Sequence, residues 1–241
     1  MKVSVILPAA GLGTRMSRAS SEKAGTSRKQ FMLLDGLPIL VHTIRKFIAA
    51  PSVTEIVIAI RPEDIDWARE LVEKEVRTKP IRVVQGGETR QGSVQNALDS
   101  LEPDTDLVAV HDAVRPFVDP ALIENVIREA SEVGAAILGI VPVDTVKQVH
   151  LHKIRQTLLR ERLVLAQTPQ VFRYDLLKLA FQKAREDGFV GTDESSLVER
   201  LEQVEVSVVP GSERNIKITR PADMDLAHLF LSVEAAGRKA S

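Results

Sequence analysis

The sequence predicts an α/β fold built on a doubly wound, mostly parallel sheet, and two observations support this. Short runs rich in Val, Ile and Ala recur up to about residue 141, and stretches with the apolar spacing of a helix separate them. Continuous apolar runs of this kind are typical of strands that are buried on both faces. Regular alternation of strands and helices implies parallel strands joined by right-handed crossovers.

The predicted strands and helices follow one another closely in the first part of the chain. The strands are residues 3–7, 55–60, 81–85, 107–111 and 135–141. Residues 38–50 predict a helix, because Leu40, Ile44, Phe47 and Ile48 fall on one face. Similar patterns predict helices at residues 62–76, 89–101 and 120–133.

The pattern changes after about residue 143. Two extended segments, 143–150 and 153–159, predict a hairpin that leaves the main sheet, and helices at 176–185, 193–200 and 222–236 follow with a strand at 204–209. No internal repeat or low-complexity linker interrupts the sequence. We therefore expect a single domain over residues 1–236, with a projecting β-arm at about 143–162 and a frayed tail at 237–241.

The composition excludes several classes of function. The absence of cysteine excludes disulfides, thiolate metal sites and a cysteine nucleophile. A net charge of −1 gives no general attraction to nucleic acid or to anionic membranes. The apolar runs are too short to span a bilayer, and the first residues lack the long apolar core of a signal peptide. We therefore expect a cytoplasmic protein without a nucleic-acid or membrane partner.

Residues 8–16, Pro-Ala-Ala-Gly-Leu-Gly-Thr-Arg-Met, directly follow the first predicted strand. Gly11 and Gly13 allow positive φ and a close ligand, and successive amides of such a loop can face phosphate oxygens. Arg15 adds a charged fork suited to phosphate. Residues 11–30 contain five basic residues against one acid. The loop therefore predicts phosphate binding, and a solvated turn with scattered charges is the alternative.

Two other nucleotide-binding motifs do not fit this loop. Met16 stands where a dinucleotide fingerprint has its third glycine. The second predicted strand is followed by Arg61 and Pro62, so it lacks the acidic residue that would bind a ribose. A Walker loop requires Gly-Lys-Ser/Thr, which is absent here. A dinucleotide-dependent oxidoreductase is therefore disfavoured.

The segment 111–116, His-Asp-Ala-Val-Arg-Pro, ends the fourth predicted strand. Ligands of open α/β sheets bind outside the carboxyl ends of the strands. The Asp112 carboxylate could hold Mg²⁺ against triphosphate oxygens there. Alternatively, Asp112 caps a turn or pairs with Arg115. His111 is expected to be a packed, hydrogen-bonding residue rather than a metal ligand.

Other polar segments each have a functional and a structural interpretation. Glycines at 85–94 would let a base approach the backbone near Ser93, but an ordinary loop before a helix has the same pattern. Lys217 precedes the last helix and would face either an anion or water. The segment Thr192-Asp193-Glu194 opens a helix, where the default role is an N-cap by Thr192 or Asp193. Arg160 lies near the predicted arm and would usually be solvated surface.

Taken together, these segments resemble one known family. The motifs, in chain order, are residues 8–16, Lys29-Gln30, residues 86–94, residues 111–116, Asp144-Thr145, Thr168-Pro169-Gln170, Thr192-Asp193-Glu194 and residues 215–219. They resemble the 2-C-methyl-D-erythritol 4-phosphate cytidylyltransferases of the non-mevalonate isoprenoid pathway over about residues 3–231. The resemblance implies a Rossmann-like nucleotidyltransferase fold.

The resemblance also implies a Mg²⁺-dependent reaction with small-molecule substrates. The substrate phosphate of 2-C-methyl-D-erythritol 4-phosphate would attack the α-phosphorus of CTP in line, giving 4-diphosphocytidyl-2-C-methyl-D-erythritol and pyrophosphate. That phosphate already carries a nucleophilic oxygen, so no Ser, Cys or His nucleophile is needed. Positioning, cations and a metal ion would do most of the chemical work.

The roles of individual residues are carried over from the matching motifs. The catalytic cations would be Arg15, Lys29 and Lys217. Binding of the nucleotide would fall to Ala9, Ala10, Gly11, Gly13, Gly87, Glu88 and Ser93, with Asp112 as the metal-associated carboxylate. The sugar phosphate would be bound by Arg115, Thr145, Arg160 and Thr192. The family forms homodimers through interlocking β-arms, so Thr145 and Arg160 would serve the neighbour's site.

Two alternatives remain open from the sequence. A sister cytidylyltransferase acting on another alditol phosphate, such as ribitol 5-phosphate, would share the nucleotide-side motifs and differ around Thr145, Arg160 and Thr192. A non-catalytic nucleotide-binding module is the more distant alternative. It is disfavoured because Arg15 and Lys217 occur together with Lys29 and Asp112.

Overall fold

The computed structural model of the protein describes residues 1–11, 29–76 and 78–240, without the side chains of Lys29 and of residues 237–240. The strands are β1 (Val3–Pro8), β2 (Leu33–Leu34), β3 (Leu37–Pro38), β4 (Glu55–Ile60), β5 (Ile81–Gln85), β6 (Leu107–Val110), β7 (Ala135–Ile140), β8 (Lys147–His150), β9 (Lys153–Thr157), β10 (Leu165–Arg173) and β11 (Ser207–Pro210). The α-helices are α1 (Ile39–Ile48), α2 (Ile65–Glu75), α3 (Arg90–Asp99), α4 (Pro120–Val133), α5 (Tyr174–Glu186), α6 (Ser195–Glu199) and α7 (Pro221–Ala240).

The central sheet has seven strands in the order β11-β7-β10-β6-β1-β4-β5. All neighbouring pairs are parallel except the two that involve β10, which runs antiparallel to β6 and β7. The predicted mostly parallel α/β sheet is therefore confirmed. The strand β10 was not predicted, and it crosses the middle of the sheet.

Helices cover both faces of the sheet, as a doubly wound fold requires. On one face, α1, α2 and α4 pack on the sheet through side chains such as Phe47, Val72 and Ile127. On the other face, α3, α5 and α6 contribute side chains such as Leu98 and Phe181. The apolar residues of β1, β4, β6 and β7 are buried on both faces of the sheet, which explains why these strands are continuously apolar in the sequence.

The register of the sheet brings the ends of β1 and β6 together. Ile6 of β1 pairs with Val110 of β6, and Ala9 beyond β1 donates its backbone N–H to Ala59 O at 2.8 Å. The loops that follow these parallel strands therefore leave the sheet side by side. This edge is where ligands bind in open α/β sheets.

The predicted β-arm is present as a hairpin outside the central sheet. Strands β8 and β9 form a separate two-stranded sheet in which Lys147 pairs with Thr157 and His150 with Lys153. Every residue of both strands is exposed. The arm therefore has no packing partner within the described part of the chain.

The last helix is longer than the sequence predicts, because α7 continues to Ala240 rather than ending at residue 236. It packs through Ala227 on a small apolar cluster with Leu34, Ile39 and Ile218. This contact joins the helix to the segment that precedes it, through Ile218. Within the described ranges, no helix has both the length and the apolar content that crossing a bilayer would require.

Candidate functional site

A cleft of about 210 Å³ opens at the carboxyl ends of β1 and β6. Its lining comes from the loop after β1, the start of α3 and the loop after β6, with Gln30 and Lys217 completing it. The predicted nucleotide-side residues Ala9, Ala10, Gly11, Gly87, Glu88, Ser93 and Asp112 all line this cleft. The structure thus brings together residues that lie up to about one hundred positions apart in the sequence.

Part of the predicted phosphate loop lies outside the residues that the structure describes. Arg15 and Gly13 lie outside the described residues, as does the side chain of Lys29, whose backbone begins a short 3-10 helix at Lys29–Phe31. The next residue, Gln30, is buried, and its Nε2 donates to Ala9 O at 2.7 Å and to Gly11 O at 3.2 Å. Gln30 therefore holds the segment that carries Lys29 against the loop after β1.

The loop after β5 depends on glycine for a close approach. A Cβ atom on Gly86 would lie 2.7 Å from the Cβ of Ala10, and one on Gly87 would lie 2.8 Å from the backbone carbon of Gly92. The Ser93 hydroxyl donates to Thr89 O at 2.9 Å and accepts from Gly87 N at 3.1 Å. This serine therefore shapes the loop from within the cleft wall.

Asp112 lies at the centre of a cluster of three cations. Its Oδ1 accepts from Arg90 Nε at 3.1 Å, while its Oδ2 lies 2.8 Å from Lys217 Nζ and 3.4 Å from Arg115 Nε. The carboxylate is 8% exposed. Pairing with Arg115 was one alternative from the sequence, and it occurs here together with two further ion pairs.

The charges around Asp112 determine its protonation. Burial alone would raise the pKa of Asp112, but Arg90, Lys217 and Arg115 outweigh burial and hold this pKa well below its usual range. The carboxylate is therefore ionised throughout the physiological range. Arg90, Arg115 and Lys217 carry one more charge than Asp112 and Glu194 together, and this positive excess suits an anionic ligand in the cleft.

Lys217 reaches Asp112 because its segment is tied to the loop after β6. Ile218 N donates to Val114 O at 3.0 Å, and Arg115 Nη1 donates to Asn215 O at 2.6 Å. The Lys217 side chain remains 36% exposed, and it lines the cleft. It is thus a cation held at the edge of the cleft.

His111 is packed beneath the cleft, as the sequence predicts. It is fully buried, with Nε2 3.0 Å from Arg115 O and Nδ1 3.0 Å from Thr168 Oγ1. Burial lowers the pKa of His111 to about 4, although its hydrogen bonds and Asp112 oppose this change. The imidazole is therefore neutral at pH 7 and supports the loop rather than binding a metal.

Arg90 and Glu194 are two polar residues of the site that sequence reasoning missed. Arg90 Nη1 and Nη2 donate to the two Glu194 oxygens at 2.7 and 2.9 Å, and Arg90 Nε donates to Asp112. Burial would lower the pKa of Arg90, but Glu194 and Asp112 raise it above its ordinary value. Both residues fall in motifs that were recognised, yet 104 positions separate them, and neither spacing nor periodicity indicates the pair.

The predicted acceptor-side residues are not gathered in the cleft of one chain. Arg115 adjoins Asp112, but Thr145 and Thr192 are exposed, and Arg160 donates a hydrogen bond from Nη1 to Val143 O at the base of the arm. Thr192 precedes Asp193, whose Oδ1 accepts from Ser196 N at 3.1 Å. Asp193 is therefore the capping side chain at the start of α6, and Thr192 makes no such cap.

A metal ion would find two carboxylates among the residues that line this cleft, Asp112 and Glu88. Among the described residues there is no group of three or more His, Cys, Asp or Glu side chains placed to hold a metal. Magnesium is commonly held by one or two carboxylates together with substrate phosphates. Asp112 fits that arrangement, provided that a triphosphate enters with the ion and takes over contacts that Lys217 and Arg115 now make.

Comparison with known proteins identifies one family. The family model for 2-C-methyl-D-erythritol 4-phosphate cytidylyltransferase matches residues 3–233. Proteins named 2-C-methyl-D-erythritol 4-phosphate cytidylyltransferase from Solibacter usitatus and Acidobacterium capsulatum are 67% and 49% identical to this chain. The first match covers 98% of both chains, and the second covers 96% of this chain and 98% of the relative.

Solved structures share the fold over nearly the whole chain. The 4-diphosphocytidyl-2C-methyl-D-erythritol synthase of Anaerococcus prevotii superposes with a TM-score of 0.83 at 30% identity, covering 96% of this chain and 98% of the other. The 2-C-methyl-D-erythritol 4-phosphate cytidylyltransferase of Francisella tularensis gives 0.78 at 35% identity, covering 95% and 99%. The predicted nucleotidyltransferase fold is thereby confirmed.

Proposed function

The chain belongs to the 2-C-methyl-D-erythritol 4-phosphate cytidylyltransferase family, and we propose that its reaction takes place in the cleft around Asp112. It is a nucleotidyltransferase that uses CTP to form 4-diphosphocytidyl-2-C-methyl-D-erythritol in isoprenoid biosynthesis. The observation that carries the placement is the convergence of the predicted base loop, Asp112 and Lys217 in a single cleft.

The nucleotide half of the site uses the cleft wall and its cations. Gly87, Ala9 and Ala10 line the cleft with backbone and small side chains, which a cytosine can approach closely. Lys217 is the most exposed of the three cations that contact Asp112, and it stabilises charge on the α-phosphate during transfer. Arg15 and Lys29 complete the grip on the triphosphate, as the family motif implies.

The chemistry is an in-line displacement at phosphorus. The acceptor phosphate oxygen forms a bond to the α-phosphorus of CTP, and the bond from that phosphorus to the bridging oxygen breaks, releasing pyrophosphate. Positioned cations lower the barrier because negative charge accumulates around the transferring phosphoryl group. Magnesium, when bound at Asp112, supplies charge neutralisation on the phosphate oxygens.

The acceptor half includes a second copy of the chain. Arg115 and Thr192 come from the body of the protein, whereas Thr145 and Arg160 lie at the base of the arm and extend the site of the partner subunit. Exposed apolar residues on the arm support this homodimer, since Val149 is 55% exposed and Ile154 is 65% exposed. Burying these side chains against a second copy removes that surface from water.

Pyrophosphate release tests both the reaction and its acceptor. Purified protein is incubated with CTP, Mg²⁺ and either 2-C-methyl-D-erythritol 4-phosphate or ribitol 5-phosphate, and pyrophosphate is followed by a coupled assay. We expect release with the methylerythritol phosphate and background release with ribitol phosphate. Release with ribitol phosphate alone would overturn the choice of acceptor.

The same assay with an Asp112→Asn variant tests the location. We expect loss of turnover and a higher Mg²⁺ requirement, while Asp187→Asn, which alters a surface ion pair with Lys183 and Arg200, retains activity. Equal activity of both variants and the parent protein would show that the reaction takes place elsewhere.

A further inference from the structure

Arg90 joins the two halves of the site through one guanidinium group. Its Nε donates to Asp112 Oδ1 at 3.1 Å, and its two terminal nitrogens form a bidentate pair with Glu194 at 2.7 and 2.9 Å. Asp112 belongs to the nucleotide cleft, whereas Glu194 lies two residues after Thr192. The guanidinium therefore spans the distance between the cleft and the Thr192 segment.

Burial makes this link rigid. The Glu194 side chain is 1% exposed and the Asp112 side chain is 8% exposed. A carboxylate buried to this extent requires a charged partner, because leaving one uncompensated is strongly destabilising. Arg90 supplies that partner to both acids with three hydrogen bonds in a fixed planar geometry.

The chain around Thr192 is also held by hydrogen bonds to side chains of α3 and β10. Gly191 N donates to Gln91 Oε1 at 3.0 Å, and Ser195 N donates to Gln170 Oε1 at 3.0 Å. Gln91 is adjacent to Arg90 in the first turn of α3, directly after the loop that lines the base side of the cleft. The start of α3 thus contacts the cleft on one side and the Thr192 segment on the other.

We propose that Arg90 is a positioning residue that sets the Thr192 segment relative to Asp112, so that the acceptor phosphate is aligned with the α-phosphate of CTP. Glu194 is its partner in this role, and neither residue touches the reacting atoms. The proposal rests on the proposed function, in which Thr192 binds the acceptor. It explains why an arginine rather than a lysine stands here, since a lysine cannot hold two carboxylates in a planar fork.

Three variants distinguish a loss of alignment from a loss of charge, and melting measurements distinguish both from a folding defect. Arg90→Lys keeps the positive charge but loses the bidentate pair, Glu194→Gln keeps the shape but loses the ion pair, and Thr192→Val removes the acceptor contact alone. Arg200→Lys is the matched control, because Arg200 pairs with Asp187 and lies over the Phe189 ring near the same segment, outside the cleft. Thermal melting of every variant reports on folding.

Steady-state kinetics with CTP saturating give the decisive readout. For Arg90→Lys and Glu194→Gln we expect the acceptor KM to rise by roughly tenfold to a hundredfold, because a Thr192 segment displaced by about 1 Å no longer meets the acceptor phosphate in the right geometry. The KM for CTP should change much less in Glu194→Gln, since the Asp112 contact is retained. Arg200→Lys should match the parent protein.

Each alternative outcome is distinct. An unchanged acceptor KM in folded Arg90→Lys and Glu194→Gln, with a raised KM in Thr192→Val, would overturn the positioning role and leave the acceptor site intact. A lowered melting temperature with parental KM and kcat would assign the pair a structural role only, which also overturns the proposal. An unchanged KM in Thr192→Val, or no activity in the parent protein, would instead contradict the proposed function.

Discussion

The centre around Asp112 and the β-arm differ in how many of their contacts are provided within one chain. Asp112 is 8% exposed and is contacted by Arg90, Arg115 and Lys217. On the arm, by contrast, Val149 and Ile154 are 55% and 65% exposed. The first region has its partners within one chain, and the second presents apolar surface of the kind that marks an interaction site. In the proposed homodimer, binding of the nucleotide would therefore depend on the second copy less than binding of the acceptor would.

The fold explains this difference. Asp112 follows β6, the middle strand of the central sheet, and it is contacted there by side chains from three different segments. The arm is a two-stranded sheet, and an isolated hairpin of this size is marginally stable in water without further packing. Changes at the centre should therefore alter turnover and stability, whereas changes on the arm should alter assembly and acceptor binding.

The largest effect is expected for Lys217→Ala. Loss of a cation placed at the transferring phosphate should lower kcat by roughly a hundredfold to a thousandfold, by analogy with removal of one transition-state hydrogen-bond donor. Pyrophosphate release under saturating substrates measures it. Lys183→Ala, which removes a cation from a surface pair with Asp187, is the control and should be unaffected. Unchanged turnover in Lys217→Ala would mean that the cluster is structural alone.

The pH dependence of folding should reveal the buried histidine. Because burial lowers the pKa of His111 to about 4, the unfolded chain binds a proton that the folded chain excludes between that pH and about 6.5. The contribution of neutral His111 is fully present above about pH 6.5 and is lost as pH falls, by up to about 3 kcal/mol. The stabilising effect of ionised Asp112 is lost only below about pH 4, so the two windows separate.

Urea unfolding of His111→Gln between pH 7 and pH 4.5 measures this contribution. We expect the variant to lose less stability over that interval than the parent protein, even if it is less stable at pH 7. His228→Gln, which alters an exposed histidine of α7, is the control. Parallel pH profiles for His111→Gln and the parent protein would show that His111 is not held neutral by burial.

A smaller effect, on dimerisation, is expected from substitutions on the arm. Val149 and Ile154 pair across the hairpin, and replacing both by Ser should weaken dimerisation by roughly tenfold to a hundredfold through loss of buried apolar surface. Sedimentation equilibrium measures the dissociation constant. Leu229→Ser is the control, because Leu229 is 57% exposed on α7. Equal weakening by Leu229→Ser would place the interface away from the arm.

The smallest effect is expected for Thr145→Val. Removing one neutral hydrogen bond to the acceptor should raise the acceptor KM by about fivefold, which corresponds to about 1 kcal/mol. The KM for CTP should not change. Thr157→Val on the same arm is the control, since its hydroxyl accepts from Lys147 Nζ. An equal change in both KM values would argue against an acceptor-side role for Thr145.

The sequence could predict the outer strands and helices because their patterns are local. The predicted strands at 55–60 and 81–85 match β4 and β5 at both ends, and the helix at 120–133 matches α4. Asp119 caps α4, Pro120 begins it, and Gly134 ends it with a φ of 96°, so the boundary signals lie within the helix's own residues.

The central strand β10 could not be predicted in the same way. It contains Gln167, Thr168, Pro169 and Gln170, and its register shifts between Ala166 and Gln170. Proline and a run of polar residues argue against a central strand, because most central positions are apolar and donate ladder hydrogen bonds. Here the polar side chains are buried by the site they build, which only the tertiary structure reveals.

The candidate site, like the fold, could be predicted only in part from the sequence. Lys217 and Asp112 were singled out from their positions near the end of a strand and the start of a helix, and they meet at 2.8 Å. The bridge from Arg90 to Glu194 depends on side-chain geometry between distant segments, which no local pattern encodes. The proposed roles of Thr145 and Arg160 in a partner's site likewise depend on how two copies of the chain associate, which no local pattern encodes.

Mixing two defective variants tests most directly whether the centre belongs to one chain and the arm to its partner's site. Lys217→Ala disables the centre and Arg160→Glu disables the arm. If arms exchange, half of the random dimers contain one intact site, so mixing should restore about one quarter of the parental activity. Each variant alone should remain near its own low activity. No gain on mixing, with heterodimers verified by mass spectrometry, would contradict a shared site.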